Sequence, residues 1–374
     1  MKNSTSFALP EAKSGIKRIK PHMASPDPSE SSSRIIALDS NENAFGPSHK
    51  AIEAAASASD CLERYLENPA RILVPALASC YGLEEDRIAI GFGSDDLLAR
   101  IARAYLQPGT ALLRSQNSYL KVPNYAYGND ADAVAAPDRN FCTDVDAMLS
   151  CLAEETRIVY LANPDNPSGA MLPGTEMRRL HAGLPRDVLL VIDGAYSEYV
   201  TDPAYEVGEA LVQAHDNVVV TRSFSKIHGL AGARVGWVYG PPHVIDTINR
   251  IGLTFPLATP SLHAALAALE DRDHRDYVRS ETALLRDEVT QKLTGAGIHV
   301  YPGHGNFILM EMGGRESLAR EMDAALRAEG ISLRRFASPA FDRCLRMTLG
   351  RHAETRTATD AIIRLYQDMR KARA

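Results

Sequence analysis

Short apolar runs separated by helical patterns dominate the middle of the chain. From residue 87 onward most of these runs are continuous rather than alternating, which is typical of strands buried on both faces of a sheet. Helical patterns lie between several of them, for example over residues 97–105 and 176–183. Alternating strands and helices predict an α/β domain whose sheet is mostly parallel. The predicted strands cover residues 87–91, 110–113, 133–136, 157–161, 188–192, 218–221 and 235–239.

The pattern changes after residue 240. Helical patterns run from about residue 242 to 270 and from about 275 to 293. Strand-like pieces then follow in the last quarter of the chain, which predicts a second, smaller α+β domain. These pieces cover residues 304–312, 331–336 and 344–349.

The N-terminal residues have the composition of a linker. Proline and several serines crowd residues 25–33, and Lys17, Arg18 and Lys20 before them form a candidate solvated basic arm. Ser48 is a candidate N-cap for a helix that continues through an alanine-rich run. The predicted organisation is a flexible arm at 1–34, a segment at 35–60 that joins the small domain, a large domain at 61–270 and a small domain at 271–374.

Composition and charge narrow the class of protein. With 374 residues, 45% hydrophobic and 24% charged, the chain has an ordinary globular balance. Its net charge of −6 argues against nucleic-acid binding, and no apolar run approaches the ~20 residues of a membrane span. The N-terminus has no apolar stretch as long as that of a signal peptide. Five scattered cysteines predict reduced thiols in a cytoplasmic protein, and no His/Cys cluster suggests a metal.

One lysine stands in a stretch with the chemistry of a cofactor site. Residues 221–236 read TRSFSKIHGLAGARVG, with Ser223 and Ser225 on one side of an extended chain just before Lys226. Lysine forms Schiff bases with carbonyl groups, and two hydroxyls with Arg234 make a good phosphate cradle. Together they suggest pyridoxal phosphate (PLP). A surface lysine near a turn is the alternative for such a short motif.

Polar residues also follow other predicted strands, at the edge where α/β sheets bind ligands. Gly93, Ser94 and Asp95 lie at the start of a predicted helix, where backbone N–H groups can bind a phosphate. The alternative is an ordinary N-capped helix. Residues 163–169 read Asn-Pro-Asp-Asn-Pro-Ser-Gly and predict a tight turn. Asp193 ends a wholly apolar strand, where a carboxylate is costly unless it is paired.

Two arginines in the last quarter are candidates for binding an anion. Arg346 lies in the middle of a predicted strand between apolar neighbours, so it needs an anionic partner. Arg334 lies near the end of the preceding predicted strand. An internal salt bridge is the alternative for each of them.

These motifs resemble those of fold-type-I PLP-dependent aminotransferases, and most closely those of the histidinol-phosphate aminotransferase family. The family patterns R-T/S-F-S-K-x-x-G-L-A-G-x-R-x-G, N-P-x-N-P-S/T-G and C-L-R-I/V-T-x-G occur in the same order, from residues 222, 163 and 344. The resemblance runs from about residue 15 to the C-terminus. It implies a large seven-stranded α/β domain, a small domain and a homodimer with shared active sites.

The resemblance also implies a role for each matched residue. Lys226 would form the Schiff base, Asp193 would hold the ring nitrogen, and Tyr196 would hydrogen-bond the cofactor's phenolate oxygen. The other cofactor contacts would be Gly93, Ser94, Asp95, Tyr119 stacked on the ring, Asn166, Ser223, Ser225, Arg234 and the partner subunit's Tyr65. The substrate contacts would be Arg346, Arg334 and Asn43.

The implied reaction is transfer of an amino group from histidinol phosphate to 2-oxoglutarate. An aromatic amino acid aminotransferase or a specialised-pathway enzyme is the alternative, and a threonine-phosphate decarboxylase has similar motifs. A regulator that only senses PLP would append a DNA-binding domain, for which about 34 N-terminal residues are too few. The chain departs from the family pattern at Asp96, Gly194 and Leu66, where the family has glutamate, glutamate and proline.

Overall fold

The computed structural model describes residues 10–20, 35–313 and 317–371. Its strands are β1 (Ile36–Leu38), β2 (Ile88–Phe92), β3 (Ala111–Ser115), β4 (Asp132–Ala136), β5 (Thr156–Ala162), β6 (Leu189–Asp193), β7 (Val218–Ser223), β8 (Val235–Tyr239), β9 (His299–Val300), β10 (Phe307–Glu311), β11 (Ile331–Leu333) and β12 (Cys344–Thr348). Its helices are α1 (His49–Ser57), α2 (Ala70–Tyr81), α3 (Ser94–Tyr105), α4 (Val122–Tyr127), α5 (Val145–Ser150), α6 (Gly174–Ala182), α7 (Glu209–Ala214), α8 (Pro242–Arg250), α9 (Thr259–Glu270), α10 (Arg272–Gly295), α11 (Ser317–Ala328) and α12 (His352–Lys371).

The large domain is built on a seven-stranded sheet in the order β2-β8-β7-β6-β5-β3-β4. Strand β8 is antiparallel to both of its neighbours, and the other neighbouring strands are parallel. Each of the seven predicted strands is present within about two residues of its predicted bounds. The mostly parallel α/β sheet predicted from continuous apolar runs is therefore confirmed.

Both faces of this sheet are covered by helices, which explains why apolar and polar residues do not alternate along its strands. Along β7, Val218 and Val220 join a core formed with α1, α2, α5, α6, α7 and α9. Val219, between them, joins the opposite core formed with α3, α4 and α8. Since successive side chains point to opposite faces, a strand between two helical layers must be apolar at every position.

The small domain has its own core. Strands β9, β10 and β12 form an antiparallel sheet, and β1 pairs in parallel with β11. The predicted strand pieces in the last quarter correspond to β10, β11 and β12. The helical pattern predicted over residues 242–270 is interrupted between α8 and α9, where Gly252 and Pro256 disfavour a helix.

The N-terminal segments contact both domains. Leu38 of β1 packs into the small-domain core, whereas Ala51 of α1 packs into the large-domain core. Helix α1 begins as predicted, because the Ser48 hydroxyl accepts a hydrogen bond from the Ala51 amide at 3.2 Å. The domain limits given above stay predictions.

Part of the predicted N-terminal arm lies against the large domain. A 3-10 turn at Ser14–Arg18 is attached there, since the Gly15 amide donates to Asp130 at 2.6 Å. Arg18 pairs with Asp132 at 3.0 Å and lies over the Tyr127 ring, so its charge is not simply solvated. Residues 1–9 and 21–34 of the predicted arm lie outside the described residues. Among the helices that the structure describes, none combines the length and apolar character needed to span a membrane.

Candidate active site

A cavity of about 900 Å³ lies at the carboxyl end of the large sheet, against the small domain. This is the edge at which ligands bind in open α/β sheets. Most of the predicted site residues line it, from both domains. They are Ser94, Asp95, Tyr119, Asn166, Asp193, Tyr196, Ser223, Ser225, Lys226, Arg234, Arg334 and Arg346.

Asp193 ends strand β6 with its carboxylate facing the cavity. The side chain is only 7% exposed, and burial raises its pKa because a charged carboxylate is poorly solvated there. Tyr160 donates to one oxygen at 2.7 Å, and the Ala195 amide donates to the other at 3.2 Å. These donors favour the ionised form without supplying a positive charge. A cationic group in the cavity would complete the site.

Lys226 lies just beyond strand β7 with its amine in the same cavity. Its Nζ donates to the Asn41 carbonyl at 3.1 Å and lies 5.6 Å from the centre of the Tyr196 ring. The Tyr196 hydroxyl accepts from the Asn41 side-chain amide at 3.0 Å and from the Asn166 side-chain amide at 3.4 Å. The structure therefore brings the lysine, the tyrosine and the asparagine of the turn close to one another.

The two serines and Arg234 form a compact polar cradle beside the start of α3. The Ser225 amide donates to the Ser223 hydroxyl at 3.0 Å, and Arg234 reaches the Ser225 hydroxyl at 3.4 Å. Arg234 itself has a positive φ of 55°, which is uncommon for a residue with a β-carbon. A β-carbon added to Gly93 would lie 2.5 Å from the Arg234 guanidinium. Only glycine leaves room here for the arginine to face the amide groups at the start of α3.

Asp95 has a different role in this cradle from that of the amide groups. Tyr125 donates to its carboxylate at 2.6 Å, Lys121 at 2.8 Å, and Tyr119 more weakly at 3.4 Å. Burial opposes ionisation of Asp95, but the bonds from Lys121 and Tyr125 outweigh it and lower the pKa. An ionised carboxylate repels a phosphate. In this structure the side chain of Asp95 therefore orients Lys121 and the tyrosines, and an anion would be bound by the backbone.

Arg346, in strand β12, is buried at the opposite side of the cavity. Its guanidinium donates to the Asn166 side-chain oxygen and to the Asp39 carbonyl, both at 2.7 Å. It lies over the rings of Phe307 and Phe336 at 5.3 and 5.4 Å. Burial lowers the pKa of Arg346 to about 10, and its Nε has no hydrogen-bond partner among the described residues. A buried cation that lines the cavity is suited to binding an anion.

The other predicted substrate residues are placed differently from one another. Arg334 lines the cavity, and its backbone pairs with that of Arg346 through two hydrogen bonds of 3.0 Å. Asn43 is not among the lining residues: its side-chain amide donates to the Ile227 carbonyl and its side-chain oxygen accepts from the Phe45 backbone amide, each at 2.9 Å. Its contact with the substrate stays a prediction, and Asn41 of the same motif lines the cavity.

Tyr65, predicted to reach a partner subunit, is 76% exposed and does not line the cavity of its own chain. Its ring stacks on Phe255 at 4.2 Å. Its role in a neighbouring subunit stays a prediction.

The three departures from the family pattern leave the cavity intact. Asp96 pairs with Arg100 at 2.5 Å, away from the cavity. Leu66 packs against the large-domain core. A β-carbon on Gly194 would lie 3.1 Å from the buried Arg222 side chain, yet Asp193 and Tyr196 on either side of this glycine both face the cavity.

Several lining residues were missed from sequence. The Asn-Glu-Asn motif indicates that an asparagine reaches the site, but the sequence cannot distinguish Asn41 from Asn43, because both are the same residue type. Tyr160 looks like any apolar strand residue, and Lys121 like any surface lysine. Only the pairing of strands β5 and β6 brings the Tyr160 hydroxyl to Asp193.

The residues present fit a planar heterocycle that carries a phosphate. The buried carboxylate of Asp193 suits a protonated ring nitrogen, and the cradle formed around Gly93 and Arg234 suits a phosphate. Lys226 faces the same space. This is the arrangement expected of a Schiff-base cofactor site.

Comparison with known proteins gives the family. The family model for aminotransferase class I and II matches residues 33–362. A histidinol-phosphate aminotransferase of Rhodopseudomonas palustris strain HaA2 is 42% identical over 346 residues, covering 92% of this chain and 95% of that protein. One from Nitrobacter winogradskyi is 41% identical over 358 residues, covering 95% and 98%.

A solved structure agrees with these relatives. The histidinol-phosphate aminotransferase of Sinorhizobium meliloti, in complex with pyridoxal-5'-phosphate, superposes with a TM-score of 0.90 at 28% identity, covering 97% of this chain and 99% of that one. The fold-type-I architecture predicted from the motifs is confirmed. With a family match over most of its length and relatives above 40% identity, this chain belongs to the class I and II aminotransferases.

Proposed function

We propose that this protein is a PLP-dependent aminotransferase that transfers the amino group of histidinol phosphate to 2-oxoglutarate. One observation carries the proposal: a lysine amine, a buried carboxylate and a buried arginine all face a single cavity. The names of the relatives support the choice of substrate, and the PLP bound to the S. meliloti enzyme supports the cofactor.

The residues that would hold PLP are those of the large domain. Asp193 would hold the ring nitrogen, while Ser223, Ser225, Arg234 and the amides at the start of α3 would hold the phosphate. When bound, PLP supplies an electron-accepting ring that stabilises negative charge at the substrate's α-carbon.

The chain's own residues move and position the proton. Lys226 is the base whose amine faces the cavity, and the Asn41 carbonyl orients it. Its amine would take the proton from the substrate's α-carbon and hold it on Nζ for delivery to the cofactor, which keeps the amino group. The Tyr196 hydroxyl and the Asn166 side-chain amide face the same cavity and would donate hydrogen bonds to the bound cofactor. At the opposite side Arg346 lies over the rings of Phe307 and Phe336, and the Phe336 ring gives this end of the cavity an apolar lining.

The same arginine must recognise different anions in the two half-reactions. Histidinol phosphate has no carboxylate, so the anion that meets Arg346 is its phosphate, whereas glutamate offers a carboxylate. A guanidinium fork fits both, because each anion presents paired oxygens. Arg334 faces the same cavity, and its charge adds to the attraction for a doubly charged phosphate.

The experiment that tests the proposal is a panel of amino donors assayed with 2-oxoglutarate on the purified protein. We expect histidinol phosphate to give the highest kcat/KM, and phenylalanine and tyrosine to react slowly. If only the aromatic amino acids react, an aromatic amino acid aminotransferase replaces the proposed function. If no donor in the panel reacts, the assignment to histidinol phosphate is wrong.

We also propose a homodimer in the cytoplasm. Leu62, Tyr65, Leu253 and Phe255 expose large apolar side chains, and such patches are common at protein–protein interfaces. All five cysteines are free thiols, which suits a reducing compartment.

A further inference from the structure

An aromatic cluster joins the two domains beside the cavity. From the small domain, Phe341 is buried in it, and Tyr301 and Phe336 pack around it. From the large domain comes Phe141, whose ring stacks on Phe341 at 4.6 Å and meets Tyr301 edge-on at 5.0 Å. Phe141 is thus an aromatic side chain of one domain placed between two rings of the other.

The backbone at Phe141 is unusual. Arg139 and Cys142 pair their amides and carbonyls at 3.0 and 2.9 Å, which closes a two-residue turn. Its central residues, Asn140 and Phe141, both have positive φ, at 53° and 63°. Turns of this kind favour Asn-Gly, because a β-carbon at the second position is crowded by the backbone. A phenylalanine here has an unfavourable conformation, which points to a role for its ring.

The Phe141 ring is linked to Arg346 through two other aromatic rings. Phe341 lies 5.1 Å from Phe336, and the guanidinium of Arg346 lies over the Phe336 ring at 5.4 Å. The turn itself is attached to the large domain, where Asp138 accepts from the Asn117 amide at 2.9 Å. The contacts therefore run continuously from the large domain to Arg346.

We propose that Phe141 is a positioning residue that holds Phe336 against Arg346 and so fixes the arginine for the substrate's anionic group. The assignment of that anion rests on the proposed function. Phe141 touches neither the reacting atoms nor the residues that hold the cofactor. Its loss should therefore weaken binding of the substrate more than the chemical step.

Phe141→Gly is the most informative variant. Glycine is the favoured residue at this position of the turn, so the turn itself stays formed and only the ring is lost. We expect KM for histidinol phosphate to rise about three- to tenfold, the range that follows from losing an aromatic pair, with kcat within about twofold. PLP occupancy should be unchanged. Phe141→Leu, which keeps apolar bulk, should recover part of the lost affinity.

A matched control comes from a ring that contacts the edge of this cluster. His299 contacts the Tyr301 ring edge-on at 4.6 Å, but it belongs to the small domain and cannot bridge the two. His299→Ala should leave KM close to the wild-type value. Unfolding midpoints of both variants show whether a general loss of stability is involved.

Hydrogen exchange gives a readout that does not depend on turnover. The amides of Arg334 and Arg346 bond each other's carbonyls, and in Phe141→Gly they should exchange faster than in wild type, while His299→Ala leaves them unchanged. If KM and this exchange both match wild type, or if exchange rises equally throughout the small domain, Phe141 has no positioning role. If exchange rises locally but the wild type transfers no amino group, the link to Arg346 stands and the proposed function fails.

Discussion

The two sides of the cavity are built in different ways. We call the large-domain side the floor, formed by Asp193, Ser223, Ser225, Lys226 and Arg234, and the opposite side the wall, formed by Asp39, Asn41, Arg334, Phe336 and Arg346. The floor comes from the ends of adjacent strands β6 and β7, paired in register at Asp193 and Thr221. In the wall, Arg346 bonds the carbonyl of Asp39, which lies 307 residues away in the chain.

This difference separates chemistry from recognition. The floor is anchored in a sheet whose two faces are covered, although Lys226 also bonds the Asn41 carbonyl of the wall. The wall depends on how β1, β11 and β12 pack beside the large domain. Changes in the floor should therefore act on the chemical step, and changes in the wall on the fit of the substrate's anion.

The largest effect is expected from Lys226→Ala on the floor. Removing the base should lower kcat by at least about a thousandfold, while PLP still binds through the cradle. The measurements are steady-state turnover and the visible absorbance of bound PLP. In the wild type, borohydride should attach the cofactor to this lysine. A modified peptide that contains another lysine would show that the floor has been misassigned.

Asp193→Asn should be the next most severe change. Losing a charge-assisted hydrogen bond to the ring costs about 1.5–3 kcal/mol, or roughly ten- to 150-fold in kcat. Burial raises the pKa of Asp193, whereas a cationic ring nitrogen bound beside it would lower that pKa again. Protonation of Asp193 at low pH would remove the charge that holds the ring nitrogen, so wild-type activity should decline on the acid side, and the variant should lack this limb. A variant within tenfold of wild type would argue against Asp193 as the ring partner.

Arg346→Lys tests the wall. Lysine keeps the charge but loses the paired geometry, so both half-reactions should slow at least about tenfold, mainly through weaker binding. Single-turnover reactions with histidinol phosphate and with glutamate measure the two half-reactions separately.

Arg334→Ala should slow the reaction of histidinol phosphate more than that of glutamate, because the phosphate carries more charge. Equal losses with both donors would remove Arg334 from phosphate recognition.

A partner subunit is the predicted third contributor to the site, and mixing impaired subunits tests this prediction. If sites are shared, a dimer of one Tyr65→Phe and one Lys226→Ala subunit contains one intact site. Equal mixing should then restore about a quarter of wild-type activity, since half of the dimers are hybrid. No recovery, with subunit exchange demonstrated and both parents impaired, would confine each site to one chain.

The smallest effect is expected at Asp165, in the turn that carries Asn166 between floor and wall. Burial raises its pKa to about 8, although the Ser118 hydroxyl and the Asn166 amide both donate to it at 2.7 Å. Between about pH 4 and pH 8 the folded carboxyl keeps a proton that the unfolded one loses, so the free energy of unfolding falls as pH rises. Asp165→Asn should flatten this slope in denaturation experiments at pH 5 and pH 8. An unchanged slope would mean that Asp165 is ionised in the folded protein.

Much of the floor follows from sequence alone. A strand buried on both faces must be apolar throughout, and a polar residue at its end marks the edge of the sheet where ligands bind. Asp193 and Lys226 carry that local signal, and the turn at residues 163–169 carries it through its prolines and glycine. These features can be recognised from the sequence because each depends only on residues that are neighbours in the chain.

Arg334 and Arg346 carry a local signal, but the rest of the wall and one contact of the floor were decided by tertiary structure. Asn41 and Asn43 are the same residue type in one motif, and only the packing of β1 beside β11 turned the first toward the cavity. The Tyr160 hydroxyl meets Asp193 because β5 and β6 pair in one register. The aromatic cluster at Phe141 needed two domains to meet. Contacts between residues far apart in the chain leave no periodic or local trace in the sequence, because they arise only when the folded surfaces come together.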